Sequence, residues 1–202
     1  MQNRLEGYPY RHVTNAALHE FPMIQRREFV FTFRDDANRR YVVHIEEYRC
    51  HVFAVKFHQK NHADSDLKYR LLTDSGWVHA RRAIHTCINI MLDMYERYPT
   101  YSFGLVGSAR ILDTPLRRAE RSGTGPTQRF RIYSLVMRTY FSEARFVHLT
   151  DERASVYLLF NRDSDYPEEE VQTMYRQHIR DLICEESRSE RPTGQIGSAV
   201  LT

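Results

Sequence analysis

The stretch that decides the fold is residues 28–59, which read EFVFTFRDDANRRYVVHIEEYRCHVFAVKFHQ. Phenylalanine stands at every second position over 29–33, and the same period of two resumes over 41–45. Between them, DDAN at 35–38 supplies the residues of a tight turn. The segment HVFAVKFHQ at 51–59 adds a third alternating strand. The pattern therefore predicts an antiparallel β-hairpin and a neighbouring strand.

The segments that follow alternate between strand and helix periods. Apolar residues recur at helical spacing within 74–99, where Asp74 or Ser75 caps the helix and Pro99 ends it. The other predicted elements are a short strand KYRLLT at 68–73, a buried strand in TYSFGLVGSA at 100–109, a helix at 127–142, a hairpin of RFVHLTDE and ASVYLLFNR within 145–162, and a helix that begins in DSDYPEEE at 163–170. The order ββββ-α-β-α-ββ-α predicts a single two-layer α+β domain, with a mostly antiparallel or mixed sheet of about six or seven strands and three helices.

The two ends of the chain differ from this central pattern. Residues 1–27 are weakly patterned and are punctuated by Pro9 and Pro22, which indicates an irregular N-terminal arm or a short strand laid over the domain. Residues 28–186 carry the periodic segments and form the predicted domain. The tail 187–202 is rich in Ser, Gly and Pro and has no apolar stripe, so we expect it to be disordered.

Length and composition exclude several classes of protein. The chain has 202 residues, 42% of them hydrophobic, and is long enough to bury the core of one domain. No apolar run approaches the roughly 18 residues that cross a bilayer, and the N-terminus lacks the basic-then-apolar pattern of a secretory signal. Cys50, Cys87 and Cys184 are widely spaced, which favours free core thiols over disulfides or a zinc site. These features predict a cytoplasmic protein with no membrane partner.

Positive charge is concentrated in one segment, GLVGSARILDTPLRRAERSGTGPTQRFRIY at 104–133. The whole chain has a net charge of +3, and 26 of its 29 basic residues are arginine. Within the segment six arginines stand against only Asp113 and Glu120. Arginine presents a planar fork of donors that suits phosphate and carboxylate groups, so the local excess of charge indicates an anionic partner.

The order of elements around this segment also suits an anion. A strand ends in Gly107 and Ser108, small residues that let a ligand approach the backbone. The following helix offers free backbone N–H groups and the positive end of its dipole. The predicted phosphate-binding residues are Gly107, Ser108, Arg110, Arg117, Arg118, Arg121, Arg129 and Arg131. The alternative interpretation is a solvated loop whose arginines pair with acidic residues of a neighbouring strand.

The central half of the chain resembles a family of small, functionally uncharacterised bacterial proteins. The segments that carry the resemblance are LLTDSGWVHARRAIHTCINIMLDMYERYP at 71–99, SFGLVGSAR at 102–110 and TQRFRIYSLVMRTYF at 127–141. The matching positions are Asp74 to Gly76, Gly107, Ser108, Arg129, Arg131 and Tyr133. The resemblance implies a strand that ends in Gly-Ser and a helix that opens with Arg and Tyr, and it implies no activity. This chain differs from the family by inserting the arginine-rich loop between that strand and that helix.

Candidate metal ligands lie in FHQKNHADSD at 57–66. Imidazole and carboxylate groups at such spacings, here His58, His62, Asp64 and Asp66, can bind zinc or another divalent ion. The two histidines share a face only in a helix, and the preceding strand pattern argues against a helix. A solvated hairpin loop is therefore favoured, and no metal is predicted. The chain also lacks P-loop and dinucleotide-binding motifs, so no cofactor is predicted.

Histidine chemistry gives a catalytic interpretation of the same arginines. A metal-independent ribonuclease needs a histidine, an arginine and a tyrosine or serine near one phosphate. The candidates are His85, His148, Tyr133 and Arg129. The chain contains ten histidines, so such combinations arise easily and a non-catalytic protein is favoured.

Three functions stay open on the sequence alone. The first is a non-catalytic binding protein whose segment 107–131 holds a phosphate-bearing ligand, with nucleic acid as the best fit. The second is a toxin-like endoribonuclease that works without metal. The third is a structural subunit of a multi-protein assembly, since arginine is also enriched where proteins meet. We favour the first function. The sequence indicates no oligomeric state.

Overall fold

The computed structural model describes residues 4–16, 25–62, 76–106, 128–152 and 156–177. In chain order the elements are β1 (Tyr10–Ala16), β2 (Gln25–Arg34), β3 (Arg40–Tyr48), β4 (Val52–Gln59), α1 (Gly76–Arg97), β5 (Ser102–Val106), α2 (Gln128–Tyr140), β6 (Phe146–Asp151), β7 (Val156–Asn161) and α3, described over 168–177. Short 3-10 turns occupy Arg49–His51 and Lys60–His62.

All seven strands belong to one mixed sheet, in the order β1-β2-β3-β4-β5-β7-β6. The first four strands form an antiparallel meander, in agreement with the alternation of aromatic residues. β5 pairs with β4 in parallel, because α1 carries the chain back along the sheet between them. β7 then pairs antiparallel with β5, and β6 lies beyond it at the edge. The predicted α+β class, the mixed sheet and the three helices are confirmed.

One face of the sheet holds the larger hydrophobic core, which α1 and α2 cover. Alternate residues of the meander point into it, among them Phe31, Val43 and Phe53. α1 contributes the predicted stripe of apolar residues, which includes the buried Cys87. Burial of these large side chains provides the main driving force for folding. The aromatic alternation over 29–33 therefore reflects a meander with one face under the helices.

The opposite face is covered by α3 where β4, β5 and β7 lie. Successive residues of a strand point to opposite faces, so Phe53 and Leu159 join the first core while Ala54 and Leu158 join a second. Tyr175 of α3 closes this second core. Helices therefore lie on both faces, in three layers rather than the expected two. None of the helices in the described ranges is long and apolar enough to cross a membrane.

The N-terminal arm is not irregular throughout. Tyr10–Ala16 form an edge strand that pairs with β2, so part of the predicted arm 1–27 belongs to the sheet. A register shift between His12 and Thr14 interrupts the alternation that marks a strand in a sequence, which explains why the pattern there is weak. The predicted strand at 68–73 and the predicted disordered tail at 187–202 lie outside the described residues.

Candidate nucleic-acid interface

The arginine-rich segment connects β5 to α2. β5 ends at Val106 and α2 begins at Gln128, so both anchor points of the connection are described. Arg129 and Arg131 lie in the first turn of α2, as the sequence predicts. The other predicted phosphate-binding residues fall outside the described residues: Gly107, Ser108, Arg110, Arg117, Arg118 and Arg121.

The apolar residues of α2 recur on one side of the helix and fix its orientation. Its buried side chains, which pack into the larger core, are Phe130, Tyr133 and Met137. The opposite side carries Arg131, Leu135 and Arg138, which are spaced by three or four residues and therefore align. We call these three residues the exposed face of α2. Leu135 is 65% exposed and gives this face an apolar centre.

The exposed face of α2 is positively charged and little neutralised. The helix sequence QRFRIYSLVMRTY contains three arginines and no acidic residue. Arg131 makes no ion pair with any residue that the structure describes. Arg138 Nη1 lies 3.6 Å from Glu143 Oε1, but both side chains are more than half exposed, so water screens this pair. Both guanidinium groups can therefore meet an external anion.

His148, a candidate catalytic residue, is held by two hydrogen bonds. Its Nε2–H donates to the Phe141 carbonyl at 2.9 Å, because a carbonyl oxygen can only accept, and its Nδ1 accepts from the Tyr157 hydroxyl at 2.5 Å. Burial lowers the pKa of His148 and raises the pKa of Tyr157 to about 12. Both ring nitrogens are occupied, so this geometry does not favour His148 as a general acid or base.

Stability is expected to fall as the pH drops below about 6.5, the ordinary pKa of histidine. The pKa of His148 is lower in the folded protein, so the unfolded chain takes up a proton on this residue more readily than the folded chain does. This stabilisation is present above the unfolded pKa and is lost as the pH falls through the folded pKa. Urea unfolding at pH 7 and pH 5 measures the change. His148→Gln should be less stable at pH 7 and show a smaller change between the two; an unchanged pH dependence would contradict the assignment.

His85 and Tyr133 take no part in the two hydrogen bonds of His148. His85 lies on α1, where its Nδ1–H donates to the Glu6 carbonyl at 3.3 Å and its ring meets Tyr140 edge-on. Burial lowers the pKa of His85 as well. Tyr133 is buried in the core. Within the part of the chain that the structure describes, no hydrogen bond or ring contact joins His85 to His148.

The candidate metal ligands are only partly described. His58 lies in β4, where it is buried and its ring stacks on His44 with the ring centroids 5.2 Å apart. His62 ends the second 3-10 turn, and Asp64 and Asp66 lie outside the described residues. Among the described residues, no three His, Cys, Asp or Glu side chains are arranged to hold a metal ion. His58 belongs to the strand that the sequence predicts over 51–59, and the predicted loop that follows it lies mostly outside the described residues.

A buried carboxylate network is the feature that the sequence patterns do not predict. Glu47 of β3 is 3% exposed and accepts hydrogen bonds from the Tyr101 hydroxyl at 2.8 Å and from Arg27 Nε. A charged residue at an inward position of an alternating strand is the sequence signal that could have identified it. Beside it, His51 stacks on Tyr101 and its Nδ1 lies 3.0 Å from Asp165 Oδ2. No local pattern links these last two residues, because they are far apart in the chain.

Comparison with known proteins identifies no relative of this chain. No protein-family model, no curated protein and no solved structure matches this chain. The resemblance to small bacterial proteins therefore stays a prediction, and functional inference depends on the residues of this chain.

Proposed function

We propose that this protein binds nucleic acid without catalysis, through the segment 107–131 and the exposed face of α2. The observation that carries the proposal is the exposed face itself, where Arg131 and Arg138 flank Leu135 on a helix without acidic residues. The arginine-rich segment runs directly into this helix in the sequence. Clustered arginines on one helix and in the segment that precedes it are the charge distribution expected of a partner with many phosphates.

The spacing of the two arginines favours a polymer over a single phosphate group. Seven residues of α-helix rise about 10 Å, so Arg131 and Arg138 can each hold a separate phosphate when their side chains extend away from the helix. A nucleic-acid strand presents phosphates at repeated intervals and can pair with both guanidinium groups. Leu135 lies between them and offers apolar surface to a sugar or a base. A nucleic acid therefore fits this face better than a small anion does.

The two other functions receive less support. A ribonuclease of the predicted kind needs a histidine with a nitrogen open to substrate. Both nitrogens of His148 are occupied, which leaves only His85, whose Nδ1 is bonded to the Glu6 carbonyl. A structural subunit could use the exposed face of α2, because arginine and leucine also suit a protein partner. Nucleic-acid binding is the function with a specific surface and a direct test.

Arg131→Glu/Arg138→Glu is expected to lose most nucleic-acid binding. Each arginine that contacts a phosphate contributes about one unit to the slope of log K against log salt concentration, so the slope should fall by about two. Affinity at physiological salt should fall at least about tenfold, since two attractive contacts become repulsive. Fluorescence anisotropy with labelled RNA, single-stranded DNA and duplex DNA, from low to physiological salt, measures both quantities.

Arg11→Glu/Arg176→Glu is the matched control, because it changes the net charge by the same amount. Both arginines are exposed, one on β1 and the other on α3, which covers the opposite face of the sheet. This control should bind nearly as well as the wild type. Equal losses of affinity in the two variants would mean that only the net charge of the protein determines binding. If the wild type binds no nucleic acid, the proposal is wrong and a protein partner is the better hypothesis. If the wild type cleaves RNA in EDTA, the protein is a metal-independent ribonuclease instead.

A further inference from the structure

Residues 4–8, which we call the N-terminal strap, lie along α1 before β1 begins. Asn89 of α1 is 5% exposed and pairs its side-chain amide with the backbone of Leu5. Asn89 Oδ1 accepts from the Leu5 N–H at 3.0 Å, and Asn89 Nδ2 donates to the Leu5 carbonyl at 3.0 Å. An extended chain makes this two-way pairing with a neighbouring strand. Asn89 therefore recognises the strap through its backbone.

Thr86 recognises the strap one helical turn earlier on α1. Its buried Oγ1 accepts from the Tyr8 N–H at 2.7 Å and donates to the Arg82 carbonyl at 2.8 Å. The backbone at Gly7 lies so close that a Cβ there would be 2.9 Å from Thr86 Oγ1 and 3.0 Å from the Thr86 backbone nitrogen. A larger residue at position 7 must displace the strap, so this contact selects glycine.

Tyr8 anchors the strap at the end nearest β1. Its buried ring stacks on Phe33 with the centroids 5.8 Å apart, and Arg82 Cζ lies 4.2 Å from the centre of the same ring. Its hydroxyl lies 3.0 Å from His79 Nδ1. A rigid aromatic side chain that fills a pocket and also has a polar contact is the usual anchor of a recognised peptide.

We infer that α1 carries a recognition site for an extended Leu-x-Gly-Tyr segment, which the strap of a second copy of this chain can fill in place of the chain's own strap. Thr86 and Asn89 are buried polar residues whose side chains bond strap backbone, and burying such groups is costly without these partners. If positions 86 and 89 only packed α1 against the sheet, apolar side chains would be favoured at both. The chemistry of the site therefore indicates recognition of a peptide segment.

The occupant that we assign is the strap of a second copy, because it has the sequence that the site already accepts. Pro9 separates the strap from β1, and proline has no N–H group that a change of chain direction at this position would leave without an acceptor. Exchange of an identical segment between two chains is a low-cost route to association. Tethering gives a chain's own strap an effective concentration of about millimolar, so exchange is expected when that strap is displaced.

The first test uses the full-length Gly7→Val chain, in which the strap is defective and the site on α1 is intact. A labelled peptide with the sequence NRLEGYP, residues 3–9, should bind this variant at least tenfold more tightly than it binds the wild-type chain, whose site is filled. Anisotropy measures the affinity, and circular dichroism shows that the variant is folded. Tyr8→Ala disables the strap by removing its anchor and serves as a second variant if Gly7→Val does not fold.

Two altered peptides control for specificity. A peptide with Gly7→Val should lose at least tenfold in affinity. One with Glu6→Ala should bind nearly as well as the original, because the Glu6 side chain is 75% exposed and water screens its 3.8 Å ion pair with Arg81. Asn89→Leu introduced into the Gly7→Val chain should abolish binding. Equal binding of the original peptide to wild-type and Gly7→Val chains, or no binding to a folded strap variant, overturns the site.

The second test addresses the second copy as the occupant. Gly7→Val has an intact site and a defective strap, whereas Asn89→Leu has an intact strap and a damaged site. Mixing the two full-length chains should produce a 1:1 complex in sedimentation velocity that neither variant forms alone. A mixture that sediments as the sum of its separate components overturns the assignment of a second copy.

Discussion

Gly104→Ala is expected to lower the free energy of unfolding by about 3 kcal/mol, at the upper end of the usual cost of overpacking a core. Gly104 lies in β5 beside Ala54, and these two small residues leave a hollow in the sheet under α3. A Cβ at position 104 would fall 2.5 Å from the Tyr175 hydroxyl oxygen and closer still to the ring carbons. Tyr175 is buried and cannot swing into solvent without opening the second core. Chemical unfolding followed by circular dichroism measures the loss.

The sign of this prediction distinguishes a specific contact from backbone preference. Alanine within a strand is normally favoured over glycine by up to about 1 kcal/mol, so without the overlap the variant would be more stable. Tyr175→Leu shortens the side chain over Gly104, and the alanine should cost about 2 kcal/mol less in that background. Additive losses in the double variant would rule out direct overlap between the two positions.

The aromatic meander could be predicted from the sequence because only one of its faces lies beneath α1 and α2. That one-sided burial produces the alternation of Phe29, Phe31 and Phe33 with the smaller residues Val30 and Thr32. β7 is buried along its whole length, so it is hydrophobic at every position before Asn161 and its sequence does not show which helix covers which face. The third layer therefore could not be predicted. The parallel pairing of β4 with β5 likewise could not be predicted from the two strands themselves, because it depends on how α1 connects them.

The candidate site could be predicted in part for the same reason. The exposed face of α2 follows from helical periodicity once Phe130, Tyr133 and Met137 are assigned to the core. The strap could not be predicted, because its partners Thr86 and Asn89 lie about eighty residues away in the sequence. Contacts of this kind depend on tertiary structure, and the hydrophobic pattern of the N-terminal residues does not indicate them.

Of the side chains in the carboxylate network, Glu47 should contribute most to the free energy of unfolding. It accepts hydrogen bonds from the Tyr101 hydroxyl and from Arg27, whose side chain is 41% exposed. Without the carboxylate, Tyr101 would keep a buried hydroxyl without its acceptor, and the guanidinium would lose its counter-charge. Water can reach Arg27, so the cost should fall at the lower end of that for breaking a buried ion pair.

Glu47→Ala is therefore expected to lower the free energy of unfolding by about 3 kcal/mol. Glu47→Gln keeps one acceptor, which can serve Tyr101, but it loses the charge and the second acceptor that faces Arg27. It should therefore lose about half as much. The matched control is Glu143→Ala, which removes an exposed carboxylate and should change stability by less than about 0.5 kcal/mol. Urea unfolding at pH 7.5 compares the three variants, and a loss below about 1 kcal/mol for Glu47→Ala would contradict the network's role.

The same network makes stability sensitive to alkaline pH. Burial and the hydrogen bond to Glu47 raise the pKa of Tyr101 to about 12. The folded state therefore favours the protonated phenol, and this stabilisation is complete below the unfolded pKa of about 10 and is lost as the pH rises toward the folded value. Glu47→Ala removes one of the two causes, so its stability should fall less steeply than that of the wild type between pH 9 and pH 11. Parallel curves for the two proteins would show that burial alone shifts the phenol.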